Sequence, residues 1–159
     1  RAFKLDMPPR VILAGREIND SMGQYVGGQV VRELSRLGKP LLGAKVLLMG
    51  LTFKEDVPDC RNSRAVDVIQ HLKEFGICVY GCEPLLAPSV VAGHFGVEAV
   101  ALGSLPTVDA VVVINKHRVF EALRLDDLAA LMSPPVLFDL KNLFDRRVAQ
   151  AKGIQHFSL

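Results

Sequence analysis

Apolar positions Ile18, Met22, Val26, Val30, Leu34 and Leu37 recur every three to four residues, which lines one face of a helix over Glu17–Leu37. Gly38 and Pro40 just beyond it supply a stop. Residues 1–15 contain Pro8-Pro9, show no clean period and are expected to form a lead-in. After this helix the pattern changes. Ala44–Gly50 is a short, almost wholly apolar run bounded by glycines, which predicts a buried parallel strand. A polar loop follows. The period then returns in Ala65, Val68, Ile69, Leu72 and Phe75, predicting a helix over Ser63–Phe75 with Ser63 as N-cap and Gly76 as the stop. Ile77–Cys82 is the next strand, so strand, helix and strand form a βαβ unit. Further strands are predicted at Val97–Val100, Ala110–Asn115, Val136–Asp139 and Ile154–Phe157. A short helix falls within Pro84–His94, another over Leu125–Met132, and a polar loop follows Asp139.

This alternation predicts an α/β chain: a Rossmann-like, three-layer domain with a mostly parallel sheet of about five strands, helices on both faces, and a long helix in front. Gly27-Gly28 interrupts that first helix, where each glycine costs about 1 kcal/mol relative to alanine. Such a pair admits close approach of another backbone, either a partner subunit or a neighbouring element of the same chain.

Composition narrows the function. The 159 residues suit one domain, and 50% are apolar, enough for a full core. A net charge of +2 gives no support for a nucleic acid or anionic membrane partner. No apolar run approaches the roughly 18–20 residues of a membrane span, and no signal peptide opens the chain. Cys60, Cys78 and Cys82 are odd in number and lack zinc spacing, so no metal site and a reduced, cytoplasmic compartment are expected. The chain opens at Arg1 without a Met and is expected to belong to something longer.

Ligands of open α/β sheets bind outside the carboxyl ends of the strands. Three such ends are polar here: Thr52–Ser63, Asn115–Arg118 and Asp139–Asn142. The first lacks GxGxxG but offers Lys54, Asp59, Arg61 and a helix start at Ser63, a set suited to a diphosphate. Lysine and arginine in a loop also suit a plain solvated surface, and Asp59 suits a turn as well as an acid.

The stretch Gly50–Pro84 carries a resemblance. Gly50, Phe53-Lys54, Asp59, Arg61, Ser63 and Glu83-Pro84 resemble the pattern of the C-terminal, UDP-binding domain of the UDP-glucose/GDP-mannose dehydrogenase family. The upstream ILAGREINDSMGQYV resembles the segment joining that family's central helical region to this domain, and is most similar to the branch oxidising UDP-N-acetylhexosamines for capsule or O-antigen sugars. The resemblance implies a division into residues 1–40, lead-in and helix from the central dimerisation region, and 41–159, a UDP-sugar-binding Rossmann-like domain.

By the same resemblance Lys54 contacts the nucleotide sugar with Phe53 against it, and Arg61 reaches the pyrophosphate of an NAD bound mainly by an N-terminal domain. Lys141, in Asp139-Leu140-Lys141, also contacts substrate, standing where the family has Arg and keeping the charge without the bidentate fork. After the AVVVIN strand the family's acidic residue is replaced by Lys116; for His117 a substrate-side role and a satisfied buried ring both stay open. The implied reaction takes a sugar C6 alcohol to a carboxylate through two hydride transfers to NAD and a cysteine thioester. None of the three cysteines lies in the family's G-x-C-F context, so no catalytic residue is assigned to this chain, which is expected to be inactive alone. For Cys60, beside the phosphate-site candidate, a nucleophilic role is the remaining alternative. The partners implied are a UDP-sugar, the NAD-binding domain and further copies of the chain. A UDP-glucose or GDP-mannose dehydrogenase domain, and a free-standing nucleotide-binding or oligomerisation module, are the alternatives.

Overall fold

The computed structural model describes residues 10–158, with side chains from Met22 onward. Six strands form one parallel sheet: β1 (Lys45–Met49), β2 (Cys78–Cys82), β3 (Glu98–Ala99), β4 (Ala110–Val113), β5 (Val136–Asp139) and β6 (Gln155–Phe157). Their order is β3-β2-β1-β4-β5-β6, and every neighbouring pair is parallel. The helices are α1 (Arg10–Arg36), α2 (Ala65–Glu74), α3 (Pro88–Phe95), α4 (Leu125–Ala129) and α5 (Arg146–Ala151). Rossmann-like α/β architecture is as the alternation predicts, with the sheet wholly parallel and six strands wide. Among the described residues no helix is long and apolar enough to cross a membrane.

Alternation along each central strand builds two cores. Val46 and Leu48 of β1, Ala110 and Val112 of β4, and Val136 and Phe138 of β5 face one side, where α1, α2 and α3 lie. Leu47 and Met49, Val111 and Val113, and Leu137 face the other, against Phe120, Leu128 and Ala149. Strands buried on both faces must be apolar throughout, which is why β1 and β4 read as unbroken runs.

Three expectations are corrected. The first helix begins at Arg10, well before Glu17: the contiguous Val11-Ile12-Leu13 masks any period, although a start directly after Pro9 suits a residue that cannot sit inside a helix. The part of the expected lead-in before Arg10 lies outside the described residues. α5 occupies what reads as polar loop. It buries a single residue, Ala149, so no period exists to be seen, and it is held by the Asp145 carboxylate accepting the Val148 N–H at 2.9 Å. The N-cap of α2 is Arg64, not Ser63, whose hydroxyl one position earlier still accepts the Ala65 N–H at 3.2 Å.

Val26, Val30 and Leu34 of α1 are buried in the same core as β1 and α2. The tight approach is within the chain: a Cβ on Gly27 would stand 2.7 Å from His71 Cδ2 of α2, and one on Gly23, a turn earlier, would collide with Asp67. Of the two readings of Gly27-Gly28, packing inside one chain is what Gly27 serves.

Candidate functional site

The strand order reverses between β1 and β4, since the chain runs outward through β2 and β3 before returning to the other side of β1. A crevice at the carboxyl ends is the expected ligand position of such a sheet. A pocket of about 430 Å³ lies there, within the usual range for small-molecule sites. Phe53 and Thr52 contribute from the end of β1, Asn115 from β4, Lys141 from β5, and Asn62 and Arg64 from the approach to α2. The pocket therefore meets the amino end of a helix, where the backbone favours anions.

The expected residues divide. Phe53 and Lys141 line the pocket, and Phe53 keeps 49% of its surface exposed. Lys54 extends beside it, its ammonium 5.8 Å from the centre of the Phe53 ring. Lys141 Nζ stands 3.9 Å from Glu55 Oε1, so the loops after β1 and β5 meet. Arg61 is set apart from the pocket lining. Its Nε and Nη2 donate to the two oxygens of Asp59 at 3.0 and 2.8 Å. Those hydrogen bonds lower the Asp59 carboxyl to about 2, and Asp59 pushes Arg61 further up. Asp59 is thus a loop-holding ion-pair partner.

The loop after β1 rests on a buried network. Gly50 turns the chain at φ +75, and a side chain there would collide with the Asn115 carbonyl. Ser63 Oγ donates to the Leu51 carbonyl at 2.5 Å, and the Asn115 amide donates to the Thr52 carbonyl. Glu83, at the end of β2, accepts the Leu51 and Thr52 N–H groups at 2.6 and 3.1 Å and meets His117 Nε2 at 3.0 Å. Both side chains are wholly buried. Burial alone would raise the Glu83 carboxyl, but the bonds from His117 and from the Leu85 and Leu51 N–H groups outweigh it and hold it below the ordinary value. His117 is thereby a satisfied buried ring. Thr52, Asn62, Arg64 and Asn115 escape a reading by motif; their signal is position alone, at the ends of β1 and β4 and the start of α2.

Burial pushes the Cys82 thiol up to about 12, and Glu83 adds to the shift, so it is inert at neutral pH. Among the described residues no three His, Cys, Asp or Glu gather as metal ligands would. Nor do the residues fit an NAD pyrophosphate. A dinucleotide cradle is a tight glycine-rich turn from strand to helix. Here residues 50–64 separate β1 from α2 and carry Phe53 into the space.

Comparison with known proteins gives the family and the fold. Residues 47–146 match the model of the UDP-glucose/GDP-mannose dehydrogenase family, UDP binding domain. The chain is 36% identical over 146 residues to the UDP-N-acetyl-D-glucosamine 6-dehydrogenase of Pseudomonas aeruginosa, covering 91% of the chain and 35% of that enzyme. It is 34% identical over 134 residues to the enzyme of the same name from Salmonella typhi, covering 84% of the chain and 32% of the relative. The crystal structure of NDP-N-acetyl-D-galactosaminuronic acid dehydrogenase from Methanosarcina mazei superposes with a TM-score of 0.80 at 26% identity, over 98% of this chain and 33% of that one. The chain spans about a third of the length of these relatives.

Proposed function

The chain belongs to the UDP-glucose/GDP-mannose dehydrogenase family, matching its UDP binding domain, and from that premise we propose that it is the nucleotide-sugar-binding part of an NAD-dependent UDP-sugar 6-dehydrogenase. The substrate we assign is a UDP-N-acetylhexosamine, oxidised from C6 alcohol to carboxylate in the cytoplasm for surface polysaccharide synthesis. The sugar assignment is supported by the names of the Pseudomonas and Salmonella relatives.

The observation that carries the reading is the pocket at the reversal of strand order, with two cations, Arg64 and Lys141, and one half-exposed aromatic at its wall. The amino end of α2, Arg64 and Lys141 suit a diphosphate, Lys54 adds a further cation beside the Phe53 ring, and that ring offers an apolar face to the base or sugar. NAD supplies the hydride acceptor in this reaction. Because the β1–α2 connection does not fit its pyrophosphate, we assign it to a separate nucleotide-binding domain, with Arg61 as this chain's contribution toward it. Residues 1–40 then act as the connection from a central helical region through which copies of the chain associate, and 41–159 as the UDP-sugar-binding unit.

Titration calorimetry tests this. UDP and UDP-N-acetylglucosamine should bind the chain, and NAD should give no heat. Lys54→Ala and Lys141→Ala should each weaken UDP by about tenfold, the worth of one charge-assisted contact, while Arg61→Ala leaves UDP unchanged. A folded chain that gives no heat with millimolar UDP overturns the assignment.

A further inference from the structure

Dinucleotide-binding sheets place an acid at the end of the second strand, where it accepts ribose hydroxyls. Glu83 occupies that place at the end of β2, but its carboxylate is already used. Oε2 takes the Leu51 N–H at 2.6 Å, the Thr52 N–H at 3.1 Å and His117 Nε2 at 3.0 Å, and Oε1 takes the Leu85 N–H at 3.0 Å. Four donors thus converge on a carboxylate whose side chain is wholly buried, which leaves no exposed oxygen for a ribose.

His117 completes the arrangement from the far side of β1. Its Nδ1 accepts the Asp56 N–H at 2.9 Å, so the network assigns the ring proton to Nε2, where it is donated to Glu83. Thr52 Oγ1, 3.3 Å from the same nitrogen, donates to the Lys54 carbonyl at 2.9 Å. Asp56 in turn accepts Arg118 N–H and Nε at 3.0 and 3.1 Å. Two buried side chains, from β2 and from the loop after β4, therefore hold residues 51, 52 and 56. Phe53 and Lys54 lie between those points.

We infer that Glu83 and His117 are positioning residues: they touch no nucleotide and set where Phe53 and Lys54 stand. An acid position that reads ribose in related sheets here holds the loop that takes its place. The inference rests on the reading that Phe53 and Lys54 face a nucleotide. It differs from a core-stability role because every contact of the His117 ring nitrogens other than Glu83 falls on the loop, not on the core.

The test uses three His117 variants and one control, with the chain's UDP affinity and amide exchange as readouts. His117→Ala removes both contacts, and should weaken UDP about tenfold while the Thr52 and Asp56 amides lose protection. His117→Gln returns a donor toward Glu83, and His117→Asn an acceptor toward the Asp56 N–H. Each should recover part of the affinity, with Asn restoring protection at Asp56 and Gln at Thr52. Leu128→Ala, in the same core as the Phe120 ring that His117 packs against, controls for stability: it should lower Tm and leave UDP affinity unchanged. Wild-type affinity in His117→Ala with the loop amides exposed overturns the inference. So does an affinity loss in Leu128→Ala equal to that in His117→Ala. If the wild-type chain binds no UDP, the nucleotide reading falls separately, and unchanged Thr52 and Asp56 exchange in His117→Ala would then overturn the clamp itself.

Discussion

The loop after β1 is held from outside itself, by side chains of β2 and of the loop after β4, whereas the loop after β5 is held by an acid at its own root. Asp139, the last residue of β5, accepts the Lys141 N–H at 3.2 Å and the Phe144 N–H at 2.8 Å. From the neighbouring strand β4 the Val113 carbonyl accepts the Leu140 N–H at 3.1 Å, and among the described residues no buried side chain of another strand hydrogen-bonds this loop. His156 of β6 faces it, but its Nε2 stands 3.6 Å from Asp139 Oδ2, and neither ring nitrogen has a hydrogen-bond partner among the described residues. Both loops contribute to one pocket, Phe53 from the first and Lys141 from the second. One rests on a buried polar network in which every strong donor is matched, the other on a local turn beside a mismatched ring. Satisfied networks fix geometry, and half-satisfied ones cost stability without fixing it.

The largest effect should come from breaking the matched network. Glu83→Ala leaves the Leu51, Thr52 and Leu85 N–H groups and His117 without their acceptor, and should cost about 3–5 kcal/mol in urea unfolding, as removing one partner of a buried pair does. The pH dependence follows in sign. Glu83 titrates below the ordinary value of 4.5 when folded, so its contribution is present above that value and is lost as pH falls through the folded one. Wild type should lose stability over that acid window. Glu83→Gln should lack that part of the loss.

Asp139→Asn should be milder, about 1–2 kcal/mol, because the amide keeps one oxygen for two N–H donors. Exchange should rise at Lys141 and Phe144 and stay unchanged at Asp56. The difference between the loops sharpens if the effects of Asp139→Asn and His117→Ala add within about 0.5 kcal/mol, since the loops meet through the long Lys141–Glu55 pair at 3.9 Å. Strong coupling would mean that the two loops form one unit.

The same contrast explains what could be read from residues alone. The sheet was legible because β1, β4 and β5 are buried on both faces, which forces short apolar runs that glycine and polar loops punctuate. Phe53 and Lys141 were legible through motif spacing, and both reach the pocket. Pairings were not. Asp59 and Arg61 are two residues apart, and each looks like a free loop charge until the side chains meet. Glu83 and His117 are separated by 34 positions and meet only because β2 and β4 flank β1, a fact of strand order that no local pattern encodes. α5 stayed hidden for the opposite reason, since a helix with one buried residue carries no period.

The smallest effect, and the one of opposite sign, belongs to His156. Its side chain is 1% exposed, with two ring nitrogens that have no hydrogen-bond partner among the described residues and a neighbour whose carboxylate is already engaged by the Lys141 and Phe144 N–H groups. A buried polar group left unpaired costs roughly 1–3 kcal/mol, and an apolar side chain of similar volume removes that cost. His156→Leu should therefore unfold within about 1 kcal/mol of wild type, or at higher urea, where His117→Leu should be strongly destabilising because it deprives Glu83 of its donor and the Asp56 N–H of its acceptor. Midpoints measured side by side at neutral pH decide the matter. A loss above about 2 kcal/mol for His156→Leu would mean that the ring does bond Asp139 in solution, and that the β5 loop, like the β1 loop, is clamped from a neighbouring strand.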